Sequence, residues 1–207
     1  MVGPHVEADF AGIKFLDILF MIIMLTGINV VSKNKKIFIG ALISAFMAVS
    51  SIVLTVVFRN PYFALSGLSF YMVFFALIAG VILSNVLMSG KITTDKIYGS
   101  ICVYLIIGVI FALLYDILES VQAGSFLLQG EMIDPHIEVL EKKRFVRLNY
   151  YSFVTLTTLG YGDIVPVSPF ARTFAALEAV IGQLYIAILI ARLVGLHIAH
   201  SSGKSEE

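Results

Sequence analysis

The chain has 207 residues, of which 59% are hydrophobic and only 14% charged, and Lys plus Arg exactly balance Asp plus Glu at 14 each. A soluble domain is about a quarter charged, so this composition, with a mean hydropathy of +0.96, reads as an integral membrane protein. Zero formal net charge leaves nothing to attract nucleic acid, and the lone Cys102 makes neither an intrachain disulfide nor a zinc site. The acidic start, MVGPHVEADF, is unlike the positively charged beginning of a cleavable signal peptide.

In chain order, Phe10–Val31 is apolar for about 22 residues, enough at ~1.5 Å per residue to cross a ~30 Å hydrocarbon layer. Lys14 and Asp17 lie three apart within it and can neutralise each other near the interface. After the basic loop Ser32–Lys36, a second span is expected over Ile37–Phe58, ended by Arg59-Asn60-Pro61. A third covers Ala64–Met88, the polar Lys91–Lys96 follows, and Ile97–Leu118 makes the fourth. Tyr115, Asp116 and Glu119, at the far end of that fourth span, suit the opposite membrane interface. The long polar segment Ser120–Leu148 carries Gly124, Gly130 and a charged run, Glu138–Arg147. Its Ile137, Leu140, Phe145 and Leu148 hint at helical spacing. Phe170–Ile198 forms the last span, after Pro166 and Pro169, and a polar tail follows.

Between the polar segment and the last span lies Asn149–Pro166, with Thr157-Thr158-Leu159-Gly160-Tyr161-Gly162-Asp163 at its centre. Glycine at alternate positions permits backbone angles that most L-residues avoid, so that successive carbonyls can face one axis and replace the hydration shell of K⁺. A Thr-X-Gly-Tyr-Gly run behind a helical segment of a very apolar chain resembles the selectivity filter of the tetrameric potassium channels. The resemblance is tight over Tyr150–Val194, loose over the preceding helix and silent over about the first 95 residues.

The apolar runs and the resemblance together imply an all-α integral membrane fold: five transmembrane helices plus a re-entrant pore helix and filter, assembled as a homotetramer. Residues 1–96 form a three-helix transmembrane region, 97–199 the pore module and 200–207 a short cytoplasmic tail; 120–148 stand as a turret over the pore. One filter copy cannot surround an axis, and non-helical backbone at membrane depth must be buried in protein or line a wet cavity, so four chains are required. A pore loop entering from outside puts the N-terminus outside and the C-terminus in the cytoplasm of a cell (plasma) membrane. Lys33–Lys36 and Lys91–Lys96 then face the cytoplasm, as the positive-inside rule favours, whereas Lys142, Lys143, Arg144 and Arg147 oppose it.

Residue by residue, the resemblance assigns K⁺ coordination to the carbonyls of Thr158, Leu159, Gly160 and Tyr161, with Gly162 completing the filter and the Thr158 hydroxyl as innermost ligand. Leu159 stands where Val or Ile is commoner. Asn149 is the expected N-cap of a pore helix running to Thr157. Tyr150 and Tyr151 occupy the positions of aromatic residues that cuff the filter tyrosine. Val154 replaces an acidic residue that braces the aspartate in some relatives, so Asp163 needs another donor, for which Tyr151 is the candidate. Gly182 falls on the gating-hinge position, where hinge and close packing are both open. Gln183, Ile186, Ile190 and Val194 make the pore-facing stripe. Glu178, a carboxyl inside a span, is either a structural brace or a titrating group.

The resulting expectation is a K⁺-selective channel conducting passively, with K⁺ as permeant ion, membrane lipids as surroundings and no cofactor. None of the first three spans carries Arg or Lys at every third position as a voltage sensor does, and no nucleotide- or calcium-sensing domain is expected after the last span. His197 and His200, at the cytoplasmic exit, read as a solvated helix end rather than a pH sensor. A weakly selective cation channel and a K⁺ transporter subunit are the rival readings. An enzyme has neither a metal cluster, a nucleophile with its base, nor a phosphate loop to rest on.

Overall fold

The computed structural model describes residues 35–58, 60–88, 93–132 and 143–202. The first expected span lies outside the described residues. Four described helices are long and apolar enough to cross a membrane: α1 (Lys35–Phe58), α2 (Pro61–Leu87), α3 (Thr94–Val121) and, after a shorter helix, α5 (Pro169–Ser202). The protein is a multi-pass membrane protein.

Each helix start has a local cause. Pro61, expected only to end the second span, is the first residue of α2, where its missing N–H costs nothing. Asn60 caps it, its side-chain oxygen accepting from the Tyr62 N–H at 3.0 Å. Thr93 caps α3 and accepts from Lys96 N at 3.4 Å. Consecutive helices pack in order, α1 on α2 and α2 on α3. The α1–α2 seam is a stripe of small residues, Ala41, Ser44, Ala45, Ala48 and Ser51, meeting Phe74, Phe75 and Ile78. Small residues let membrane helices approach closely where no hydrophobic drive operates between them.

The polar segment holds a hairpin, β1 (Phe126–Leu128) and β2 (Glu131–Met132), which the sequence reading did not anticipate. Its two-residue turn, Gln129-Gly130, has φ of +52° and +89°, the left-handed pair that matches strand twist in a tight hairpin. A third strand, β3 (Ile164–Pro166), pairs with β1, giving an antiparallel sheet in the order β2-β1-β3.

The shorter helix α4 covers Lys143–Leu156, so it starts well before Asn149. Asn149 is therefore mid-helix rather than an N-cap; its side-chain oxygen is buried without a hydrogen-bond partner among the described residues. The helix begins earlier because its leading turn is anchored: Leu148 is fully buried, and buried Arg144 pairs with Asp116 of α3 and donates to the Ser120 hydroxyl at 2.6 Å. The expected interfacial trio is likewise inside the fold. Tyr115, Asp116 and Glu119 are all buried, because each finds a partner on another element.

Candidate functional site

The segment 157–163 leaves the C-terminal end of α4 and enters β3. Its first turn is held by the helix itself: the Val154 carbonyl accepts both Leu159 N at 2.9 Å and Gly160 N at 3.3 Å, and Thr158 N donates to Thr155 O at 2.9 Å. Val154 thus supports the segment through its backbone, whatever its side chain lacks. The Thr157 hydroxyl donates to Phe153 O at 2.6 Å.

Beyond that turn the backbone alternates. Thr158, Gly160 and Gly162 have φ of +60°, +58° and +77°, while Leu159 and Tyr161 do not take positive φ. Glycines at 160 and 162 make this inexpensive. At Thr158 an L-residue in the left-handed region costs roughly 1–2 kcal/mol, a strain the glycine pattern alone does not reveal. The Thr158 hydroxyl is held on both sides, donating to Thr157 O at 2.7 Å and accepting from Gln183 Nε2 at 3.0 Å.

The same segment is barely covered by its own chain. Leu159 and Tyr161 are 59% and 67% exposed, and a Cβ on Gly160 or Gly162 would meet nothing within 4 Å. Gln183, Ile186 and Ile190 lie exposed on α5; the side chain of Val194 is outside the described residues.

Behind the segment the packing is polar and tight. Glu178 of α5 is fully buried, takes the Tyr115 hydroxyl of α3 at 2.5 Å and bonds the Ser152 hydroxyl of α4. Ser152 also donates to the Gly108 carbonyl of α3 at 2.7 Å. Three helices therefore meet on one carboxyl group. Gly182 lies against the end of α4: a Cβ there would come 2.1 Å from the Leu156 carbonyl oxygen, so this structure uses the glycine for close approach. The Tyr104 hydroxyl reaches that carbonyl at 3.3 Å from α3, and Tyr185 of α5 donates to Ser100 O at 2.7 Å.

The two tyrosines separate. Tyr151 is buried in an edge-to-face cluster with Tyr115 and Phe126, each 5.2 Å away. Tyr150 is exposed, and its hydroxyl interacts with the Asp163 carboxylate. The helical face decides this: residue 151 turns towards α3, and residue 150 turns towards the segment's outer end. Tyr115, Ser152, Gly108, Asp116, Arg144 and Phe126 were not picked out as parts of the site. Their only signal was polar or small residues at helical spacing in apolar runs, which does not say which helices will meet.

Comparison with known proteins agrees with this geometry. Residues 99–197 match the family model described as "Ion channel". The chain is also similar to potassium channels. The inward rectifier potassium channel Kirbac3.1 of Paramagnetospirillum magnetotacticum is 30% identical over 89 residues, 41% of this chain and 24% of that protein. The potassium voltage-gated channel protein shk-1 of Caenorhabditis elegans is 42% identical over 45 residues, 22% of this chain and 8% of that one. The two-pore potassium channel 5 of Arabidopsis thaliana is 34% identical over 59 residues, 28% and 14% of the respective chains. The matched stretch thus spans less than a quarter of each of these relatives. No solved structure matches the chain. The matches support a potassium channel and point away from an enzyme.

Proposed function

We propose that four copies of this chain form a K⁺-selective pore, with residues 157–163 as its filter, and that K⁺ crosses passively down its electrochemical gradient. The observation that carries this reading is the positive φ at Thr158, Gly160 and Gly162, with none at Leu159 and Tyr161, on a strand its own chain leaves uncovered; in this reading the carbonyls of Thr158, Leu159, Gly160 and Tyr161 line the pore axis. Four such strands around an axis create oxygen cages that substitute for water around a bare K⁺. The Thr158 hydroxyl retains a lone pair for the innermost ion, since one serves Gln183. The match of residues 99–197 to the ion-channel family model and the similarity to potassium channels support the same reading.

In this reading the exposed side of α5 is divided between the cavity, lined by Gln183, Ile186, Ile190 and Val194, and neighbouring subunits. Tyr150 and Asp163 lie at the outer mouth, Glu178 and Gly182 fix α5 to the pore helix α4, and the membrane is the plasma membrane, with the C-terminus cytoplasmic. Filter-bound K⁺ is cargo, and no cofactor takes part.

The test is the reversal potential of purified protein in planar bilayers under asymmetric K⁺ and Na⁺. A shift towards the K⁺ equilibrium potential is expected, and Gly160→Ala should abolish it. A reversal potential near zero would make the pore a weakly selective cation channel.

A further inference from the structure

We propose that the extracellular hairpin β1–β2 is the outer anchor of the filter and sets how readily the filter leaves its conducting shape. This rests on the channel reading above. The filter segment is tied at both ends and free between them. Its inner end hangs from the Val154 carbonyl and from Gln183. Its outer end runs directly into β3, which pairs with β1 in the register Leu128 to Ile164, Leu127 to Val165 and Phe126 to Pro166. The turn itself reaches the filter: Gln129 N donates to the Asp163 carbonyl at 2.8 Å, and at the other end of the strand Val167 N donates to Ser125 O at 2.8 Å.

The hairpin can act as an anchor because it is itself fixed. The Glu119 carboxylate at the end of α3 accepts Gly124 N at 2.6 Å and Phe126 N at 3.1 Å. The Phe126 ring is fully buried between Tyr115 and Tyr151. Force on the outer filter therefore passes through β3 and β1 into α3. Val154 has no carboxyl to brace the Asp163 side chain; the hairpin instead holds the main chain of that residue, through Gln129 N on the Asp163 carbonyl.

The turn gives the anchor an adjustable strength. Gly130 at φ +89° suits glycine alone, whereas Gln129 at φ +52° is a residue that resists the left-handed region more than glycine or asparagine does. Two substitutions should thus act in opposite directions. Gly130→Val adds strain equivalent to roughly five- to thirty-fold in an equilibrium, the ordinary cost of left-handed backbone in an L-residue. Gln129→Gly relieves strain.

Two readouts on the full chain test this. The first is amide hydrogen exchange at Ile164 and Val165 in detergent-solubilised protein. The second is the decay of K⁺ current in bilayers at low external K⁺, where an emptied filter is least supported. Gly130→Val should speed exchange by up to that factor and hasten the decay several-fold; Gln129→Gly should slow both. Unchanged exchange in Gly130→Val would show that the hairpin does not hold the strand and would overturn the proposal. Faster exchange with an unaltered current decay would overturn it too, because the strand would then be held without consequence for the filter. A wild-type protein that carries no K⁺ would refute the proposed function, and the exchange data would still decide whether the hairpin holds the strand.

Discussion

The α1–α2 pair and the α3–α4–α5 region solve the same problem, burying helices against helices, by different means. The α1–α2 seam is shape: small residues on one helix receive Phe74, Phe75 and Ile78 from the other. Its serines and threonine bond mostly within their own helices, as Ser44 does to Ala41 O at 3.0 Å and Thr55 to Ser51 O at 2.7 Å. Ser51 to Ser66, at 3.2 Å, is the hydrogen bond between the two helices given by the described side chains. The second region is polar geometry: Asp116 with Arg144, Glu119 with the hairpin amides, Glu178 with Tyr115 and Ser152. Shape packing tolerates a range of relative positions. A buried carboxyl with named partners tolerates few, because any displacement leaves a polar group without a partner in a medium that offers no water. Positional demand is concentrated where the carbonyl-lined segment has to be held.

That contrast can be broken by mutation. The largest effect is expected from Asp116→Ala, which strands the buried Arg144 guanidinium at a cost of about 3–5 kcal/mol. Folded protein in detergent should be largely lost, as measured by size-exclusion yield and thermal unfolding. Next comes Gly182→Ala, whose methyl collides with the Leu156 carbonyl; α5 must move away from α4 at about 3 kcal/mol, the upper end of overpacking costs. Wild-type thermal stability in that variant would disprove the close contact.

Glu178→Ala should cost about 1–3 kcal/mol by leaving the Tyr115 and Ser152 hydroxyls without their shared partner, while Glu178→Gln, which keeps an acceptor and a donor there, should lose less. Unchanged pH dependence of the current in Glu178→Gln identifies the carboxyl as a brace; a shifted profile identifies it as a titrating group. Smallest is Ser51→Ala, expected near ~0.6 kcal/mol, the average for a hydrogen bond between membrane helices. If Ser51→Ala destabilised the protein as much as Asp116→Ala, the division into shape-held and polar-held regions would collapse.

The four described spans and the alternating φ of the segment 157–163 were legible in the sequence because both are local signals. A helix that crosses a membrane needs a long apolar run, and repeated positive φ is cheapest at glycine. The start of α4 was misplaced because Asn149 is a good capping residue by type, while the real start is set by Leu148 burial and by the Arg144–Asp116 pair across 28 positions of sequence. The hairpin was missed for a related reason. Its strands are two and three residues long, below any recognisable periodicity, and they exist through pairing with β3.

Gly182 shows the boundary between the two kinds of information. By sequence it is a glycine in a helix, equally suited to bending or to close contact; only the Leu156 carbonyl beside it chooses between them. The same holds for Tyr150 and Tyr151, interchangeable by type and divided by which face of α4 each occupies. Composition and local pattern determined by themselves that this chain is a membrane protein with glycine at alternate positions of the segment 157–163. Which buried carboxyl meets which hydroxyl, and that a hairpin holds the outer end of that segment, was decided by tertiary structure, because partners far apart in sequence leave no periodic trace in it.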